Sequence, residues 1–306
     1  MTRIVLAGGA GFIGQAVTAR LKKIEFFNKI TVIGRSLIPR HALPKGVEYI
    51  VGDVKDEKFL IGLLKSDDYV IDLCHSTVPK TSFENPPAEI ERNMITNITL
   101  MQRCALLGIR KYLYVSSGGT VYGNNGIGIQ KEYSQTNPIS PYGMSKLFTE
   151  KFVLFYNVNF GLQGIIVRPS NPYGIEQIGN RLQGFIGSAI DCLINKKPIH
   201  IFGKTGTIRD YIYNDDLADG IIKSLQCGQK SDIFNIGTGI GYNNIEIITA
   251  IEKIFEKKFS TIEIQPNRSF DVKRNILSSD RLKSRTDWTV KHDIYAGLEK
   301  LKGFIQ

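Results

Sequence analysis

The sequence predicts an α/β fold, a doubly wound parallel sheet with a smaller C-terminal lobe. Three observations carry this: short Val/Ile-rich runs without polar alternation, helical stretches between successive runs, and a glycine-rich turn directly after the first run. Strands covered by helices on both faces of a parallel sheet read as continuous apolar runs.

The strand-like runs are RIVLA (3–7), KITVI (29–33), VEYIV (47–51), YVIDL (69–73), KYLYVS (111–116) and LQGIIVR (162–168). Helical patterns fill 12–24, 57–66, 89–108 and 140–159. In the last of these, Ser140 is placed to cap and Pro141 to occupy the first helical position. Beyond about residue 170 the elements shorten and Gly/Pro/Asn-rich turns appear, as in RPSNPYG, FGKTGT and NIGTGIGYNN. The expected division is a larger unit over 1–170, with returns near 207–237, and a smaller lobe formed mainly by 171–306.

The 306 residues suffice for one large domain or two closely joined ones. Hydrophobic residues are 42% and charged residues 22%, ordinary for a soluble globular protein. No apolar run has the length of a bilayer span, and glycines interrupt the N-terminal apolar run too early for a secretion signal. Cys74, Cys104, Cys192 and Cys227 are scattered without metal-ligand spacing. Free thiols, a cytoplasmic location and no metal are expected. The net charge of +10 is spread thinly, its densest short runs being lysine pairs. That favours a phosphorylated small molecule over nucleic acid or membrane.

Gly8, Gly11 and Gly14 in GGAGFIG lie between the first strand and first helix. Glycine permits the tight turn, close approach of backbone to a pyrophosphate, and close helix–strand packing. The helix N-terminus then offers free N–H groups to the anion. The expectation is a Rossmann-type dinucleotide-binding unit. An NAD site usually carries a carboxylate at the end of the second strand to accept the ribose hydroxyls. Here that place reads Gly34-Arg35-Ser36. Arg35 suits a 2′-phosphate, so NADP(H) is favoured, with NAD(H) the alternative. Asp53, after the third strand, is placed to touch the adenine.

Taken in order, GGAGFIG, VGDV, Asn93 in ERNMITN, SSGGTVYG, SPYGMSK, RPSNPYG, FGKTGTIRDYIYNDDLADGI, FNIGTG and RSFDVKRNILSSDRLK resemble the extended short-chain dehydrogenase/reductases. These are the nucleotide-sugar epimerases, dehydratases and reductases. The resemblance covers nearly the whole chain. It implies Tyr142 as catalytic acid–base and Lys146 as its partner. It places Gly8, Gly11, Phe12, Ile13, Gly14, Arg35, Asp53, Val54, Leu73, Cys74, Asn93, Ser116 and Pro169 beside the cofactor, together with Tyr142 and Lys146. Tyr142 and Lys146 share one helix face. A free phenol ionises near pH 10, so an adjacent ammonium and an oxidised nicotinamide are expected to favour phenolate.

Related 4-epimerases carry Ser or Thr three residues before the valine of VYG, where this chain has Gly118. Thr120, on the same side of an extended chain, or Ser117, reaching in if the glycines bend the strand end, is the expected substitute. An ordered water is a third option. The double glycine is also expected to open room for a bulkier substrate or a 6-methyl group. The resemblance further implies that Asn171, Arg209 and Arg268 hold a substrate diphosphate and that Asp271 takes ribose hydroxyls. His75 is expected to line the cofactor cleft without chemistry, and Trp288 to sit in the C-terminal core.

The expected reaction is reduction at C4 of a dTDP- or UDP-linked 4-keto-6-deoxyhexose with NADPH, serving surface polysaccharide synthesis. A UDP-sugar 4-epimerase is the alternative. The Asp-Glu pair that marks dehydratases is replaced by Gly119-Thr120. A non-catalytic cofactor-sensing or RNA-binding member of the fold is the third reading. Apolar stripes on the helices at 89–108 and 140–159 predict a homodimer through a four-helix bundle.

Overall fold

The computed structural model describes residues 2–39, 42–126, 128–178 and 184–305. Strands β1 (Arg3–Ala7), β2 (Lys29–Gly34), β3 (Glu48–Val51), β4 (Tyr69–Asp72), β5 (Lys111–Val115) and β6 (Gly164–Pro169) join strand Ile233–Ile236 in one parallel sheet. Its spatial order is Ile233–Ile236, β6, β5, β4, β1, β2, β3. The chain runs outward from β1 through β2 to β3, then crosses back to β4 on the other side. That reversal leaves a crevice at the carboxyl ends of β1 and β4, where open α/β sheets bind ligands.

Both faces of β1 are covered, as its unbroken apolar run requires. Ile4 and Leu6 pack with helix α1 (Phe12–Leu21) and helix Asn214–Cys227. Val5 and Ala7 face Leu100, Met101 and Cys104 of helix Ile95–Leu107 and Val153 of helix Pro141–Asn159. A third core, drawn from residues beyond 171, joins Tyr173, Ile190, Tyr211, Ile251 and Leu298. The predicted elements are present with bounds shifted by a few residues at most; helix α2, for example, covers Glu57–Leu63.

Three features differ from the sequence reading. The helix expected over 89–108 is built from Pro87–Glu89, a wide π-helical stretch Ile90–Met94, and Ile95–Leu107, which stops at Gly108 with φ +61°. Strand Ile208–Tyr213 does not join the main sheet; it pairs with Asn171–Tyr173, Gly241–Tyr242 and Arg274–Asn275. Trp288 belongs to the core beneath the main sheet, not to the C-terminal core, and its indole N–H donates to the Asp216 carbonyl at 3.0 Å.

Candidate active site

The glycine turn forms a cradle that side chains would fill. Gly8 has φ +80°, and a Cβ there would lie 3.1 Å from the Leu73 carbonyl group. At Gly14 it would lie 2.6 Å from Gly8 O and Gly9 Cα, so helix and turn meet at backbone distance. Gly11 N–H donates to Gly8 O at 3.0 Å, and no side chain caps α1. The first-turn N–H groups, those of Phe12 and Ile13 among them, have no partner within the helix. This end fits a pyrophosphate.

At the other end of the crevice, a Cβ on Gly34 would fall 2.3 Å from the Tyr49 hydroxyl, which donates to Ser36 O at 2.8 Å. Arg35 follows exposed, with its charge within electrostatic reach of Cys74. Asp53 is exposed and accepts from Lys55 N–H at 3.0 Å, while Val54 is buried. Leu73 and Cys74 continue β4 at the crevice floor; Leu73 N–H reaches Ala7 O at 2.9 Å. Burial pushes the Cys74 thiol well above its usual range, so it stays neutral.

Two residues expected beside the cofactor turn their side chains away. Asn93 accepts from Ser76 N–H at 2.8 Å and Ser76 Oγ at 3.0 Å, and donates to Thr77 Oγ1 and Glu89 Oε2, both at 3.0 Å. It therefore shapes the loop after β4 and does not face the crevice. Ser116 Oγ donates to Glu150 Oε1 at 2.5 Å, beneath the sheet end. Pro169 closes β6, where its carbonyl backs Gly118.

Helix Pro141–Asn159 begins as its sequence predicts. The Ser140 hydroxyl accepts from Gly143 N–H at 3.2 Å, Pro141 follows, and Ser82 Oγ of helix α3 (Pro79–Glu84) accepts from Tyr142 N–H at 3.1 Å. Lys146 is 4% exposed; its ammonium donates to Val115 O at 2.9 Å and stands 5.9 Å from the Tyr142 ring centroid. Burial lowers the Lys146 pKa to about 8. The phenol, however, is not lowered by the protein. Burial pushes it up to about 12, against a hydrogen bond with Ser117 and with help from the Glu89 charge.

Of the two hydroxyls expected near the phenol, Ser117 is the one that contacts it. Gly118–Val121 is a short helical turn rather than an extended end, so Thr120 does not project with position 118. Thr120 instead packs on Gly143, and its hydroxyl donates to Ser117 O at 3.5 Å. Gly118 opens no room in the cleft. A Cβ there would lie 2.5 Å from Leu277 Cδ1 and 2.8 Å from Arg168 O. The glycine lets the turn press against β6 and swings Ser117 to the phenol.

The expected substrate residues gather on the C-terminal side. Asn171 Nδ2 donates to Asp210 O at 3.3 Å, and its amide borders Gly119. Arg209, on the neighbouring strand, donates to Ile208 O at 3.0 Å. Burial lowers its pKa, and the nearby Arg268 charge adds to that. Arg268 Nε pairs with Asp271 Oδ2 at 2.7 Å, and its guanidinium lies 3.9 Å from the Phe202 ring centroid. Two guanidiniums facing one carboxylate leave positive charge for an anionic ligand. Asp271 already commits one oxygen to Arg268, which limits it as an acceptor for ribose.

The model of the NAD dependent epimerase/dehydratase family matches residues 4–237. The chain belongs to this family. It is an enzyme of short-chain dehydrogenase/reductase type, as the motifs imply. It is 26% identical over 319 residues to a UDP-glucose 4-epimerase of Mycolicibacterium smegmatis, covering 99% of this chain and 98% of that one. It is 29% identical over 308 residues to a dTDP-4-dehydro-6-deoxyglucose reductase of Escherichia coli, covering 97% and 96%. The UDP-glucose 4-epimerase of Thermotoga maritima, solved with UDP-glucose, superposes with a TM-score of 0.91 at 26% identity, covering 99% and 98%.

Two contacts of this epimerase/dehydratase site had no signal in the sequence. His75 packs against Tyr142 as a T-shaped pair, centroids 4.7 Å apart. Glu150, two turns beyond Tyr142, forms a buried ion pair with Arg168 at 2.6 Å. These pairs join residues far apart in the chain, so no local spacing announces them. A prediction follows for Ser117. Ser117→Ala removes the phenol's hydrogen-bond partner and lowers kcat by about tenfold or more, while Thr120→Ala changes it little. Equal losses in both variants would reject the assignment.

Proposed function

We propose that this enzyme reduces C4 of a nucleotide-linked 4-keto-6-deoxyhexose with NADPH. The observation that supports this reading is the end of β2, where Gly34-Arg35-Ser36 offers a cation and no carboxylate. The Gly8–Gly14 turn and the start of α1 hold the pyrophosphate, and Arg35 holds the 2′-phosphate. When bound, the nicotinamide supplies hydride to the sugar carbon. Tyr142 delivers the proton to the sugar oxygen, Ser117 fixes the phenol, and Lys146 keeps an ammonium beside it. Arg209 and Arg268 take the diphosphate, with Asn171 beside them.

Purified protein given NADPH and a dTDP-4-keto-6-deoxyhexose is expected to lose reduced-nicotinamide absorbance in proportion to substrate, faster than with NADH. A second reading, 4-epimerisation of a UDP-sugar, is supported by the similarity to enzymes named UDP-glucose 4-epimerase. C4 inversion of UDP-glucose without added reductant, with no NADPH loss on the ketosugar, would establish that reading and reject the reductase.

The proposed assembly is a homodimer through a four-helix bundle. Met144, Phe148, Phe155 and Val158 form an exposed apolar stripe on helix Pro141–Asn159, beside Ile95 and Leu106 of helix Ile95–Leu107. Light scattering that returns the mass of one subunit would overturn it. No helix among the described residues is long and apolar enough to cross a membrane.

A further inference from the structure

Glu89 lies in none of the roles above. It is 2% exposed, at the end of the short helix Pro87–Glu89. Its carboxylate accepts from Ser145 Oγ at 2.8 Å, from Asn93 Nδ2 at 3.0 Å and from the Thr77 hydroxyl in a short contact. His75 Nε2 stands 3.5 Å away. Ser145 is one turn beyond Tyr142 on the catalytic helix, and its single hydroxyl proton is shared between Glu89 and Tyr142 O, the latter at 2.9 Å. The His75 ring meets the Tyr142 ring edge-on at 81°. Glu89 therefore reaches the phenol by two routes, one through the helix and one through the imidazole.

His75 does not cancel the carboxylate charge. Thr77 gives its proton to Glu89, so the Thr77 oxygen, 3.0 Å from Nε2, accepts the imidazole N–H. Nδ1 then carries a lone pair, and it is buried without a partner. Burial first, then the Lys146 ammonium, lower the His75 pKa to about 4, so the ring is neutral at working pH. Burial raises the Glu89 carboxyl, but His75 first, then the Thr77 and Ser145 hydroxyls, outweigh it and lower it to about 2, so Glu89 is ionised.

We propose that Glu89 is a positioning residue whose buried carboxylate, tied to the catalytic helix by Ser145 and backed onto the phenol by the His75 ring, keeps Tyr142 protonated as a proton donor. This rests on Tyr142 being the acid–base group. Reduction of a ketone takes one hydride at carbon and one proton at oxygen; the phenol supplies the proton and recovers it from water. A wall that disfavours phenolate suits that direction. The other charges around Tyr142 are arranged differently. Lys146 lies on the same helix; Asp72, then Glu89 itself, Cys74 and Glu150 favour its ammonium against burial. Cys74 and Tyr114 are held neutral by burial. Lys80 and Glu84 of α3 pair with each other at 4.0 Å on the exposed surface.

The test is the ionisation of Tyr142, read as tyrosinate absorbance with NADP⁺ bound and with Tyr142→Phe as background. A like charge nearby disfavours phenolate, so removing it lowers the phenol pKa. Glu89→Gln is expected to move the midpoint down by about one pH unit, a tenfold change in proton affinity. Glu89→Asp, which keeps the charge, is expected to stay near the parent. Glu89→Met serves if the glutamine variant does not fold. An unchanged or raised midpoint in the charge-removing variant would overturn the proposal, as would an equal fall in Ser145→Ala, which leaves the carboxylate charged. The titration needs no sugar substrate. Failure of the reductase reading would appear separately, as absent turnover in the parent protein.

Discussion

Tyr142→Phe is expected to lower turnover by about 10²- to 10⁴-fold, the usual contribution of a positioned acid–base group. The ring stays in place in this variant. Its edge contact with His75 and the backbone hydrogen bond to Ser82 do not involve the hydroxyl. Dinucleotide affinity is therefore expected to hold, because the Gly8–Gly14 turn and the N-terminus of α1 lie on another strand end. Thermal stability is expected to change little, since the hydroxyl's hydrogen bond with Ser117 contributes only about 1 kcal/mol. A kcat loss with binding and melting temperature intact is the signature of proton transfer. Loss of dinucleotide affinity in step with kcat would instead make the phenol part of the binding surface.

Arg168→Met is expected to act on stability, costing about 3–5 kcal/mol in urea unfolding, because it strands a buried carboxylate. Arg168 Nε and Nη2 reach the two Glu150 oxygens at 2.9 and 2.6 Å. Its Nη1 also donates to the Tyr122 hydroxyl at 2.9 Å, which passes on to Asn235 Oδ1 at 2.7 Å. Without the guanidinium, Glu150 keeps only the Ser116 hydroxyl among these partners. The Glu150→Met/Arg168→Met double variant is expected to lose less than Arg168→Met alone, since no charge is left unpaired. A double variant as unstable as the sum of both singles would contradict this account of the pair.

Much of the fold was legible because strand and helix periods are local. Unbroken runs such as RIVLA and KITVI announced strands covered on both faces, and Ser140-Pro141 announced the start of the catalytic helix. The glycine spacing announced the cradle, for Gly14 has no space for a side chain. What failed depended on contacts distant in sequence. Thr120 was paired with position 118 by assuming an extended strand end. That assumption breaks because Gly118 presses on Arg168 O and Leu277, neither of which is near it in the chain. Asn93 is consumed by Ser76, Thr77 and Glu89 within a π-helical stretch that no periodicity showed. The phenol was expected to favour phenolate beside Lys146 and an oxidised nicotinamide; in the protein alone, burial and then the Glu89 carboxylate from another helix push it up. Glu89 itself has no motif; only the fold brings it beneath the site.

The central claim is that Tyr142 delivers a proton as a nicotinamide hydride reaches C4 of a nucleotide-linked ketosugar. The most direct measurement supplies NADPH deuterated at its transferable position together with a dTDP-4-keto-6-deoxyhexose and locates the label by NMR. Deuterium on C4 of the product, one per NADPH consumed and strongly diminished in Tyr142→Phe, is the predicted result. Product formed without deuterium at C4, or labelled product formed at the parent rate by the phenylalanine variant, would contradict it.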